Sequence, residues 1–177
     1  MTLFFRRFIG ALVLDAGTFE DIEQDRSAGG QSVLVVAAVS IAGAIAAMGL
    51  GLVDLGGVLI AAVITLGGWL VWAGMTTALG TIAFADDETS SDLSELLRVL
   101  GFAAAPGAFI VLAGIRPAAP AIVPIVVLWM MATSVLGIRQ AFDYHGTGRA
   151  LAVCAAGWVV SAGILAIVAG LLMETVY

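Results

Sequence analysis

Five stretches of this chain, 33–53, 57–81, 99–115, 117–138 and 150–172, contain no Asp, Glu, Lys, Arg or His. They run 21, 25, 17, 22 and 23 residues and together hold 108 of the 177. All twenty formal charges fall in the other 69 residues. A helix that crosses a bilayer needs about 20 apolar residues, within a range of about 17–25. The partition therefore predicts an all-α, polytopic integral membrane protein with a bundle of five transmembrane helices. A membrane barrel is excluded, because its strands alternate in character over segments of about ten residues.

Composition agrees. The chain is 62% hydrophobic and 11% charged, with a mean hydropathy of +1.12; a soluble domain averages about 25% charged residues. The net charge of −6 opposes a nucleic-acid partner. The single Cys154 excludes an internal disulfide. The third stretch is the shortest. Leu96 and Leu97 continue its apolar face, so the span is expected over about 97–115, on a helix that starts at Leu93 behind an Asp92–Glu95 cap. The acidic run Asp86, Asp87, Glu88 and Asp92 before it reads as a solvated loop rather than a cation site, having no EF-hand spacing.

The seven bases are all arginine. With five spans, Arg6, Arg7, Arg26, Arg98, Arg139 and Arg149 fall on one side and Arg116 on the other. Basic residues near span ends stay in the cytoplasm. This puts the N-terminus in the cytoplasm and the C-terminus outside, in an inner (cytoplasmic) membrane. Residues 1–32 form a cytoplasmic segment ahead of a transmembrane domain at 33–173. Phe4, Phe5, Phe8, Ile9, Leu12 and Val13 recur at helical spacing, which predicts a short amphipathic helix in the interface with Arg6 and Arg7 near lipid phosphates. Thr18, three residues before Asp21, reads as the cap of a second amphipathic turn that carries Phe19 and Ile22 inward.

Chemistry-bearing residues are few. His145, with Asp143 nearby, lacks a nucleophile in its neighbourhood and reads as a surface histidine. Asp54 beside Gly56 and Gly57 reads as turn chemistry, with a cation-binding carboxylate as the alternative. Trp69 and Trp72 sit mid-span, where core packing is the default and a substrate-stacking surface the alternative. Arg139, closing the fourth span, is a weak functional candidate beside them. No ionisable group is expected at depth. Pro106 should kink or break span three, Pro117 suits the first turn of span four, and Pro124 should bend that span inside the bilayer. These three prolines are the hinge candidates. Faces such as Gly43-x-x-x-Ala47-x-x-x-Gly51 and Gly101-x-x-x-Ala105 allow close helix packing, within the bundle or in a homo-oligomer. No catalytic, cofactor or metal residues emerge.

Several segments carry a resemblance. Residues Ala11 to Val36 (ALVLDAGTFEDIEQDRSAGGQSVLVV) and Leu96 to Phe109 (LLRVLGFAAAPGAF), together with Trp129 through Arg139-Gln140-Ala141 to Arg149-Ala150, resemble prokaryotic members of the Yip-one (Ypt-interacting-protein) membrane domain family. The likeness runs over roughly residues 10 to 172. It implies one five-helix domain with a cytoplasmic N-terminus and no catalytic residues. The expected function is a non-enzymatic scaffold or adaptor in membrane organisation or trafficking, with the bilayer and other membrane proteins as partners. The alternative is a small transporter or channel subunit that uses the proline-bent helices three and four.

Overall fold

The computed structural model describes residues 2–84 and 93–176, with side chains described as far as Ile164. Among them the chain is helical throughout. Two short helices, α1 (Leu3–Leu12) and α2 (Ala16–Gln24), precede α3 (Ala28–Leu50) and α4 (Gly57–Ala78), the latter ending in a π turn (Leu79–Ala83). Then follow α5 (Leu93–Ala103), a 3₁₀ segment (Ala105–Gly114), α6 (Ala119–Ala141) and α7 (Thr147–Val176). Five of these helices, counting α5 and the 3₁₀ segment as one, are long and apolar enough to cross a membrane. Their outward side chains match that solvent: Leu52, Leu59 and Val159 are each more than 70% exposed. The acidic loop at 86–92 and the Asp92 cap lie outside the described residues.

The five spans form a closed ring. In order, α3 packs on α4, α4 on α7, α7 on α6, α6 on α5 and its 3₁₀ continuation, and these return to α3. The shortest apolar stretch is the most enclosed, with 67% of its central window buried against 11% for α4. It reaches across because of its break. Pro106 supplies no N–H, so α5 stops at Ala103 and the chain tightens to 3₁₀. A 3₁₀ helix rises about 2.0 Å per residue against about 1.5 Å for an α-helix, giving this segment up to about 36 Å along the chain. The carbonyl oxygen of Ala103 at the break accepts from the buried Thr133 hydroxyl of α6 (2.6 Å).

The other prolines behave differently from the sequence reading. Pro117 lies in the turn before α6, and Pro120 occupies the first helical turn. The turn is closed by Ala118 N–H donating to Ile115 O (2.8 Å), which delays the helix start to Ala119. Pro124 lies inside α6, which stays helical from Ala119 to Ala141. Close helix approaches use glycine where expected in kind though not always in place: Gly49 of α3 meets the backbone of Gly114, and Gly101 of α5 meets Ser32. Gly51 ends α3 in the left-handed conformation (φ +78°).

The N-terminal helices are packed on this ring. Phe4, Phe8 and Leu12 of α1 lie against the core, while Phe5, Ile9 and Val13 form an exposed apolar stripe. Trp129 of α6 donates to Leu12 O (2.9 Å). Phe19 and Ile22 of α2 are fully buried, Phe19 against Gly137 of α6. The helix starts two residues before Thr18, at Ala16; the Thr18 hydroxyl donates instead to Asp15 Oδ2 (2.6 Å). Arg7 corrects the sequence reading more sharply. It is 1% exposed and faces carboxylates, not lipid phosphates. Its Nε donates to Asp21 Oδ2 (3.0 Å), Nη2 to Asp25 Oδ2 (2.7 Å) and Nη1 to Gln31 Oε1 (3.4 Å), tying α1 to α2 and α3. Arg6 stays exposed, 3.4 Å from Asp21.

The hydrogen bond from Arg7, aided by Ser27, holds the Asp25 carboxyl down at about 2. A depressed carboxyl adds stability above its unfolded value near 3.8, and that stability is lost as pH falls towards 2. Arg7→Gln should lower Tm near neutral pH by several degrees, and the gap from wild type should shrink between pH 4 and pH 2. Thermal melts in detergent across that range check both; parallel pH profiles would show the clamp to be unimportant.

Candidate functional site

A cavity of about 290 Å³ lies inside the ring, and every span contributes to its wall. Val39 and Ser40 come from α3, Trp69 and Trp72 from α4, and Trp158 and Ser161 from α7. Met130 and Ser134 of α6 and Ala104 at the α5 break complete it. The break that Pro106 causes is therefore part of the cavity wall. The wall is almost wholly apolar and carries no ionisable residue.

Its polar atoms lack partners. Trp69, Trp72 and Trp158 Nε1, and the Ser40 and Ser161 hydroxyls, are buried with no hydrogen bond. Ser40 and Ser161 are 3% and 4% exposed. An unsatisfied buried polar group costs about 1–3 kcal/mol on protein mutational scales. Five on one wall therefore call for acceptors in the cavity, supplied by water or by a ligand. Trp72 and Trp158 stand edge to face, ring centroids 6.2 Å apart, holding α4 against α7. Gly157 makes that contact possible, since a Cβ there would strike the Thr76 hydroxyl and crowd Trp72 Nε1.

The remaining sequence candidates are scattered. Asp54 caps α4, its Oδ1 accepting from Gly57 N–H at 2.8 Å, and takes no part in the cavity. His145 and Asp143 are both exposed in the α6–α7 loop, where Asp143 has a positive φ of 52°. Arg139 sits half-buried in the last turn of α6, where a cation suits the helix C-terminus, on a separate surface groove with Leu14 and Leu151. Tyr144 in that loop donates to Gly80 O (3.1 Å) and Phe84 O (3.3 Å), occupying carbonyls that the π turn frees. Among the described residues no three His, Cys, Asp or Glu side chains form a metal-holding group.

Of the sequence candidates, Trp69 and Trp72 are brought together on the cavity wall, with Pro106 behind its break. Sequence reasoning missed Trp158, Ser40 and Ser161, whose only signal is a hydroxyl or indole inside an apolar run. It also placed no charge at depth, whereas Arg98 is 6% exposed on α5, one and a half turns in from Leu93. Arg98 Nη2 donates to Glu23 O (2.6 Å) and Nη1 to Ser94 Oγ (3.2 Å), leaving Nε without an acceptor. The Glu23 carboxyl is no full counter-charge. Burial first, and then Asp143, Glu95 and Glu20, push it up to about 7, against the pull of Arg98.

The fold and the cavity define a class, the multi-pass helical membrane protein with an enclosed intramembrane pocket. Comparison with known proteins returns no matching family model, no matching curated protein and no matching solved structure.

Proposed function

We propose that the chain is a non-enzymatic membrane carrier that holds a small, uncharged, mainly apolar solute in the central cavity. The observation that carries the reading is the set of five unpartnered donors on a wall built by all five spans. A carbonyl or ether oxygen satisfies indole and hydroxyl donors, and the Trp72–Trp158 pair offers a flat apolar surface. The interrupted third span supports transport in particular. Discontinuous helices line the sites of many carriers, and a segment with weaker internal bonding moves more readily. A wall without ionisable residues fits a neutral solute and opposes proton coupling.

The probe is 4-bromoacetophenone, an acceptor whose bromine quenches indole fluorescence. Saturable quenching, reversed by unbrominated acetophenone, is expected in detergent. The Ser40→Ala/Ser161→Ala pair should weaken it about tenfold, the worth of one or two hydrogen bonds. Quenching that rises linearly and ignores the double substitution would sink the reading, and uptake into proteoliposomes separates a carrier from a mere binder.

A second reading, the scaffold or adaptor that a Yip-type resemblance implies, is supported by glycines that face open space: a methyl added at Gly43, Gly67, Gly74 or Gly163 would touch nothing. Such faces suit a second membrane helix. Cross-linking in native membranes should then find one reproducible self-contact or partner; a solitary monomer opposes it.

On either reading the α1/α2 end faces the cytoplasm of an inner membrane. Even with Arg7 neutralised by Asp21 and Asp25, five arginines at that end stand against Arg116 at the other. A reporter fused after Tyr177 should be active only outside the cytoplasm, and cytoplasmic activity would reverse the assignment.

A further inference from the structure

A second cavity, of about 640 Å³, opens at the α1/α2 end between α3, α4 and α5. Arg26, Arg98 and Ser94 line one part of it, and Val33, Trp69 and Leu70 another. Arg98 is more than nine-tenths buried, with its Nε–H idle. Among the described residues neither Arg98 nor Arg26 has a carboxylate within 4.0 Å. A buried guanidinium without a paired anion is costly, and Arg binds phosphate oxygens through parallel N–H donors. Gly29, in the first turn of the 23-residue α3, also lies on the wall, so the positive end of that helix adds to the field.

The apolar part argues for an amphiphile rather than a dissolved anion. Val33 is 64% and Leu70 52% exposed, so the wall runs out of the cavity onto the outer, apolar surfaces of α3 and α4. We propose that this cavity binds the phosphate headgroup of an anionic phospholipid through Arg98 and Arg26, with an acyl chain laid along Val33 and Leu70. Trp69 stands on the walls of both this cavity and the central one. A lipid seated here touches the partition between them.

That position makes Trp69 the reporter. The full chain is placed in phosphatidylcholine nanodiscs carrying a minor fraction of either brominated phosphatidylglycerol or brominated phosphatidylcholine. The difference between wild type and Trp69→Phe isolates the Trp69 signal. Phosphatidylglycerol should quench it with about tenfold preference, the worth of one charge-assisted hydrogen bond. Arg98→Gln and Arg26→Gln should bring quenching down to the phosphatidylcholine level, and Arg98→Lys should keep part of the preference. Arg26 is exposed, so its variant reads the site even if Arg98→Gln fails to fold. Equal quenching by the two headgroups, or a preference that survives in Arg26→Gln, overturns the proposal. So does a preference abolished by inorganic phosphate at constant ionic strength, which would identify a free anion as the occupant. None of these readouts depends on occupation of the central cavity by a solute.

Discussion

The missing N–H of Pro106 shapes more of this molecule than any other single atom. It ends α5 at Ala103 and leaves a carbonyl that Thr133 must satisfy at 2.6 Å. It also starts a 3₁₀ segment long enough to complete the crossing. In hydrocarbon no water repairs a freed backbone group, so the repair has to come from a neighbouring helix. That requirement binds the broken span to α6, while Gly49 and Gly114 bring it against α3. The ring closes around the break, and Ala104 becomes part of the central wall.

Buried arginines play two opposite roles at the α1/α2 end. Arg7 is paired with Asp21 and Asp25 and serves as a joint between the N-terminal helices and α3. Arg98 has a backbone carbonyl, a serine and an idle donor, with the Glu23 carboxyl half-titrated near neutrality. A satisfied charge stabilises a fold, whereas an incompletely satisfied one attracts a counter-ion. The same residue type, nine-tenths buried in both places, is therefore structural in one and available to an anion in the other.

Individual residues show how far a linear reading reached. The five spans, the inward Phe19 and Ile22, and the break at Pro106 were all legible, because each rests on a local rule: apolar length, helical spacing, a missing donor. Pro117 was misplaced by a turn, since only the Ala118–Ile115 hydrogen bond decides where α6 begins. Trp69 and Trp72 were visible as odd mid-span residues, but not their partner Trp158, 86 positions further on. Arg7 looked lipid-facing on the helical wheel because its carboxylates lie 14 and 18 residues away.

Order and composition along the chain decide the solvent, the number of crossings, the bias of arginine to one end and the point at which the third span must break. Those properties depend on each residue's own chemistry and on neighbours within a turn or two. Which helix is innermost, which arginine finds carboxylates and which indoles share a cavity are decided only by the ring. The five apolar segments are nearly interchangeable in hydropathy, so long-range contacts such as Thr133 with Ala103 and Gly157 with Thr76 select one arrangement. The charge-free spans thus remain the strongest statement in the chain, qualified at one place: Arg98, at the edge of the third, is enclosed by the fold.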